Sequence, residues 1–219
     1  MTPSMNLANT ARASRTKKRT RIQARNEERI LDAALEVFST YGFHGATVDR
    51  IAERAGMSKP NLLYYFRRKR DIYIAVLRRT LEMWLAPFEE MRADGEPAEE
   101  IRRYVERKLD FSKTHPQASR LFLSEVLQGA PMLGTVLETR VRDLVADKAK
   151  VLERWAGEGR IAAIDPYHLI FMIWAMTQHY ADFEAQIDAV LPDRGNRDAL
   201  FDKARDVVDA ILLRGLLPR

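Results

Sequence analysis

The chain contains no cysteine, which excludes disulfides and thiolate chemistry and makes a reducing cytoplasm the expected location. Its four histidines, His44, His115, His168 and His179, are scattered with no i, i+4 pair on one helix, so no metal site is expected. No phosphate-cradling glycine loop or nucleophile elbow is present, so neither an enzyme nor a cofactor is expected. No stretch approaches the ~18 uncharged apolar residues of a membrane span, and the N-terminus has no apolar run to serve as a secretory signal. The apolar–polar alternation of strands is missing as well.

What is present is helical spacing in a chain of 219 residues, 46% hydrophobic and 31% charged, enough for one large or two modest globular domains. The net charge of +5 is unevenly placed. Seven of the 36 basic residues (Arg12, Arg15, Lys17, Lys18, Arg19, Arg21 and Arg25) lie in residues 1–25, which hold no acid, leaving 29 to face all 31 acidic residues. The body is close to neutral and the positive excess sits in an arm, either a solvated tail or a nucleic-acid contact.

After the arm, Ile30, Ala33, Ala34, Val37, Phe38 and Tyr41 make one apolar stripe, which Gly42 ends. A short helix carries Val48, Ile51, Ala52 and Ala55, with Thr47 as its N-cap and Asp49 in its first turn. Gly56 stops it, and a third runs from Ser58 to Phe66 with Pro60 in its first turn. A longer helix starts near Lys69 and should kink or end at Pro87. Pro97, Pro116 and Pro131 mark further starts, and Leu133 to Trp155 is amphipathic. Asp165-Pro166 opens a helix apolar nearly all round (Leu169, Ile170, Phe171, Met172, Ile173, Trp174), expected to be buried on several sides. Pro192 and Gly195 precede the last helix. The spacing predicts an all-α protein of about nine helices, three in front and six behind. The expected organisation is a flexible basic arm (1–25), a helix-turn-helix domain (26–68) and a ligand-binding and dimerisation domain (69–219).

Residues 47–66, TVDRIAERAGMSKPNLLYYF, carry two short helices joined at Ala-Gly-Met-Ser. Gly56 can take the positive φ that turns the chain, Met57 plugs the angle, and Ser58 caps the second helix. Ile51, Ala52, Leu62 and Phe66 then face inward, while Lys59, Asn61, Tyr64 and Tyr65 point outward, toward a DNA major groove that admits one helix. A plain αα-hairpin with a capping serine is the competing reading of these residues.

From Arg29 to Leu77 the sequence resembles the DNA-binding domain of the TetR family of repressors. The likeness rests on Phe38, Tyr41-Gly42-Phe43, Thr47, Ile51-Ala52, Ala55-Gly56-Met57-Ser58, Phe66 and Lys69. Leu63 departs from it, since the family usually has an aromatic there. The segments SKPNLLYYF (58–66), WLAP (84–87), PQASRLF (116–122) and DPYHLIFMIWAMTQHYADF (165–183) resemble the branch of that family that governs pyrimidine utilisation and is released from DNA by uracil or thymine.

The resemblance implies a ligand-responsive repressor acting as a homodimer on palindromic operator DNA, its two reading helices roughly 34 Å apart. The family's interface is an antiparallel four-helix arrangement built from the last two helices of each subunit; the alternative is that their apolar faces only fill the monomer core. Thr47 becomes a backbone N–H phosphate anchor, Ser58 belongs to the DNA-facing set, and Lys59 and Asn61 become candidates for base edges. Tyr64, Tyr65 and Lys69 become phosphate contacts. In family members the helix beginning near Lys69 links ligand pocket to reading head, and here Trp84 lies on it. For the effector, Trp84 and Trp174 offer planes for a flat ring, Gln178 offers an amide matching the donor and acceptor edge of uracil, and Thr177 lies beside them. The bland reading makes the indoles core and Gln178 a partner for buried backbone. A different small hydrophobic effector, as in control of efflux, remains the alternative.

Removing residues 1–25 should weaken DNA binding and flatten its salt dependence, by about 0.9 in the log–log slope for each phosphate no longer neutralised. An unaltered slope in anisotropy titrations at several salt concentrations would make the arm a bystander.

Overall fold

The computed structural model describes residues 6–193 and 195–217, with side chains from Arg21 onward. All regular structure among them is helical: α1 (Asn6–Gly45), α2 (Val48–Arg54), α3 (Lys59–Tyr65), α4 (Lys69–Glu89), α5 (Pro97–Thr114), α6 (Pro116–Leu127), α7 (Gly134–Val136), a π turn (Leu137–Val141), α8 (Arg142–Gly157), α9 (Pro166–Asp182), α10 (Glu184–Val190) and α11 (Arg197–Leu216). Residues 1–5 of the basic segment lie outside the described residues, as do the side chains up to Thr20. From Asn6 its backbone is helical, since neither glycine nor proline interrupts residues 6–41 and Ala, Arg, Lys and Gln are good helix formers. The chain divides into two compact units, Met1–Val76 and Leu77–Arg219.

In the first unit α1 breaks at Gly42 (φ 65°, ψ 176°), a backbone state that L side chains rarely adopt. Its stripe of Ile30, Ala33, Ala34, Val37 and Phe38 is buried with Ile51, Ala52, Ala55, Leu62, Ile72, Tyr73 and Val76. Thr47 caps α2 by accepting from the Arg50 N–H at 3.2 Å, and Ser58 caps α3 by accepting from that of Asn61 at 3.4 Å. Each cap satisfies a donor the helix cannot.

In the second unit α9 is central, touching α5, α6, α8, α10 and α11. Asp165 caps it through the His168 N–H, at 2.9 Å. Leu169, Ile170, Ile173, Thr177 and Ala181 are buried, the first three in a core shared with Ile101, Tyr104, Val105 and Leu109 of α5 and Phe201, Ala204 and Val208 of α11. The burial on several sides expected of α9 is interrupted on one flank: Phe171 and Met172 are 49% and 56% exposed, because no element of this unit covers them. Val207 and Ile211 of α11 are exposed too. Pro87 sits inside the last turn of α4, where only one hydrogen bond is forfeited, and the helix ends two residues later. The helix α10, absent from the sequence reading, follows α9 after a single break at Phe183.

Gly56 has φ 63°, and a Cβ there would lie 3.2 Å from the Arg29 guanidinium. That guanidinium is fixed by its hydrogen bond to the Ala55 carbonyl, at 2.6 Å. The variant Gly56→Ala should therefore lose about 1–2 kcal/mol, read as a lowered thermal midpoint.

Candidate functional site

Two groups of side chains stand out, one in each unit. In the first, α3 presents Lys59, Asn61 and Tyr64 to solvent, Tyr64 at 63% exposure. Lys59 is paired with Asp49 of α2 at 2.9 Å. Both side chains are well exposed, so the pair contributes at most about 1 kcal/mol and yields readily to a stronger anion. Tyr65 is half-buried, and its hydroxyl accepts from the Asn26 amide at 2.8 Å, while the Tyr64 hydroxyl accepts from the Gln23 amide at 3.4 Å. The two rings meet edge to face. Asn26 and Gln23 of α1, which sequence reasoning passed over, thus orient the tyrosines of α3. Thr47 and Ser58 stand at their helix starts, their hydroxyls engaged in capping.

Lys69, expected on phosphate, donates in this structure to three backbone carbonyls, those of Phe43 (2.7 Å), His44 (3.3 Å) and Ala46 (2.8 Å). An ammonium has three donors, so its capacity is spent closing the end of α1. It also lies 4.7 Å from the Phe43 ring centroid.

In the second unit a cavity of about 350 Å³ is lined by Leu81, Trp84 and Leu85 of α4, Phe122, Leu123 and Val126 of α6, Leu137 and Val141 of the π turn, and Trp174 and Gln178 of α9. Three of the four effector residues expected from sequence are brought together here. Trp84 and Trp174 stand 5.9 Å apart between centroids, and Phe122 adds a third ring 5.6 Å from Trp84. Trp174 donates its N–H to the Tyr104 hydroxyl at 2.7 Å, so it offers the cavity a plane and no donor. Burial pushes that hydroxyl above the usual tyrosine range, and it stays protonated. Gln178 is the one amide in the lining.

Thr177 is not part of the lining. It is fully buried, and its hydroxyl donates back to the carbonyls of Ile173 (2.7 Å) and Trp174 (3.2 Å). One position from Gln178 on a helix is about 100° around the axis, which turns Thr177 into the core. Sequence reasoning missed the apolar lining, although Leu85 and Phe122 fall within the distinctive WLAP and PQASRLF segments. It also missed Lys108, fully buried on α5. The signal was spacing: Tyr104, Lys108 and Ser112 recur every four residues on the inward face.

Among the described residues no three His, Asp or Glu side chains are grouped to hold a metal, and no helix is long and apolar enough to cross a membrane. Comparison with known proteins gives the class. Residues 30–76 match the bacterial regulatory proteins of the tetR family, and residues 77–219 match the C-terminal region of YcdC-like protein. The chain is 46% identical over 204 residues to the HTH-type transcriptional regulator RutR of Escherichia coli (strain K12), covering 93% of this chain and 96% of that one. A TetR-like transcriptional regulator from Rhodococcus sp. RHA1 superposes with a TM-score of 0.64 at 27% identity, over 87% of this chain and 94% of that one. AibR, solved with isovaleryl coenzyme A and operator DNA, shares the fold at a TM-score of 0.64 and 15% identity, over 85% of this chain and 97% of that one. This chain therefore belongs to the TetR family, as a helix-turn-helix transcriptional regulator similar to RutR. Its curated relatives are regulators of transcription and not enzymes.

The Lys69→Met variant keeps the aliphatic stem and removes the ammonium, leaving three carbonyls without that partner. It should cost about 1–3 kcal/mol of stability, measured by urea denaturation; an unchanged midpoint would return Lys69 to the set free for DNA.

Proposed function

We propose that the protein is a homodimeric repressor, working in the cytoplasm, that binds a palindromic operator through α3 and is released by uracil or thymine. The observation that carries the effector is the cavity: two indole planes and one amide bordering a partly open space of about 350 Å³, in a chain 46% identical to RutR. That volume lies at the small end of the ~300–1,000 Å³ typical of ligand sites, which favours a compact ligand. A pyrimidine base has about eight non-hydrogen atoms, so at ~1.5 kcal/mol per atom its binding cannot exceed roughly 12 kcal/mol. A mostly apolar, stacked setting with one matched amide suits such a ligand, since each polar contact counts for more where water is excluded.

On the DNA side, Lys59 and Asn61 are assigned to base edges, and Thr47, Ser58, Tyr64 and Tyr65 to the phosphate backbone. Thr47, Ser58, Lys59 and Asn61 find support in their exposure at two helix starts, where backbone N–H groups and the dipole favour anions; Tyr64 is exposed at the other end of α3, with Tyr65 half-buried beside it. Residues 1–25 supply further, sequence-independent charge. The exposed flank of α9 (Phe171, Met172) and of α11 (Val207, Ile211) is assigned to the twofold interface, since burial there returns ~25 cal/mol per Å² of apolar surface. Release requires only that the effector favour, by a few kcal/mol, a dimer geometry unsuited to successive grooves.

The test is Gln178→Ala with a fluorescent operator duplex. The variant should bind operator as the parent does and lose release by uracil and thymine; unchanged release would clear Gln178 of this role. A thermal-shift screen of nucleobases against small hydrophobic compounds decides the effector class, because a ligand bound only by the folded state raises its midpoint. A midpoint moved by hydrophobic compounds alone would favour the efflux-type alternative.

A further inference from the structure

The cavity of the second unit has a polar group behind its wall that its own lining does not explain. Lys108 of α5 is 0% exposed, and its Nζ has no hydrogen-bond partner among the described residues. It lies 3.0 Å from the centroid of the Trp84 ring, the ring that walls the cavity. The Nε1 of Trp84 is buried and unpartnered as well. One turn before Lys108, Tyr104 holds the indole of Trp174, the facing wall. One turn after it, the Ser112 hydroxyl is also buried without a partner. Thus α5 sends a polar stripe, four residues apart, through an apolar core, with its lysine set between the elements that carry both indoles.

An ammonium so placed is costly. Burial drives its pKa well below the usual lysine range, opposed by the charge of Asp182. Asp182 is itself raised by burial and held by a 2.6 Å hydrogen bond from Ser119, and it makes no hydrogen bond to Lys108. Unmade hydrogen bonds of buried polar groups weigh against folding, and a core position of this kind is ordinarily filled by an aliphatic residue. What the site lacks is an acceptor.

We propose that Lys108 is the polar anchor of the effector: on binding, its Nζ leaves the face of Trp84 and donates to an electron-rich carbonyl oxygen of the ligand, with Trp84 Nε1 beside it. This rests on the pyrimidine reading above and extends it, since it requires a planar ligand carrying a carbonyl opposite the edge that Gln178 meets. The flexible lysine stem permits the displacement.

The experiment compares the full-length parent with Lys108→Met, which keeps the stem and removes the donors. Uracil, 2-thiouracil and 4-thiouracil are titrated by calorimetry, with thermal midpoint and operator affinity measured alongside. The expected result is a Lys108→Met protein at least as thermostable as the parent, with operator affinity unchanged and uracil affinity reduced at least tenfold. In the parent, one thio analogue should bind at least fivefold more weakly than uracil, because sulfur is the poorer acceptor, and in the variant that difference should vanish. Uracil binding within threefold of the parent would overturn the role of Lys108 and leave the effector reading standing. A parent that binds no pyrimidine would overturn both. Should the variant not fold, the parent alone decides: equal affinity for all three bases overturns the proposal, and selective loss of one thio analogue supports it.

Discussion

The hydrogen bond from the half-buried Trp174 indole to the buried Tyr104 hydroxyl, 2.7 Å long, joins α9 to α5. Leaving either partner unsatisfied there would cost about 1–3 kcal/mol, so the bond fixes the plane of Trp174 as well as the spacing of the helices. With that plane set, Gln178, one turn further along α9, necessarily faces the same space. Phe88 stacks on Tyr104 from the other side, at 4.7 Å, and carries the constraint back to α4, the helix of Trp84. Trp84 and Trp174, 5.9 Å apart between centroids, are in ring contact, and together they border the cavity with Phe122, Leu137, Val141 and Gln178.

The N-terminal unit obeys a related rule on a smaller scale. Its helices α2 and α3 are too short to bury much, so the helix ends around them are tied by polar groups aimed at backbone. Arg29 takes the carbonyl of Ala55, Arg50 that of Gly45 at 3.1 Å, and Lys69 three carbonyls past the Gly42 break. Arg54 pairs with Glu36 of α1. These cations serve the fold, whereas Lys59, Asn61 and Tyr64 of α3 stay exposed. A basic composition alone would not have separated the two groups.

That separation marks where the sequence was legible. Caps and breaks are local, and Thr47, Ser58, Asp165, Gly42 and Gly56 occupy in the structure the places their chemistry assigns them. Trp84, Trp174 and Gln178 could be grouped because the segments around them resemble known relatives; spacing alone united only the last two. Thr177 turns from the lining because backbone acceptors lie within its reach, and a sequence does not say which hydrogen bond a side chain will choose. The short α10 escaped because no glycine or proline marks its boundary with α9. The exposure of Phe171 and Met172 escaped because an apolar residue reads alike whether it meets its own chain or another.

The π turn at Leu137–Val141 carries a consequence for how such cavities diversify. A turn of this kind holds one residue more than the α-helical path needs, and its first and last residues both line the space. Arg140, its fourth residue, grips Glu82 and Glu89 of α4 at 2.7 Å each, so the widened coil is moored to the helix that bears Trp84. Losing a single codon there would let the coil tighten into ordinary helix and draw Leu137 and Val141 into a new register. Descendants of one ancestral gene could in this way acquire different cargo through a one-residue deletion, with every ring of the chamber left as it was.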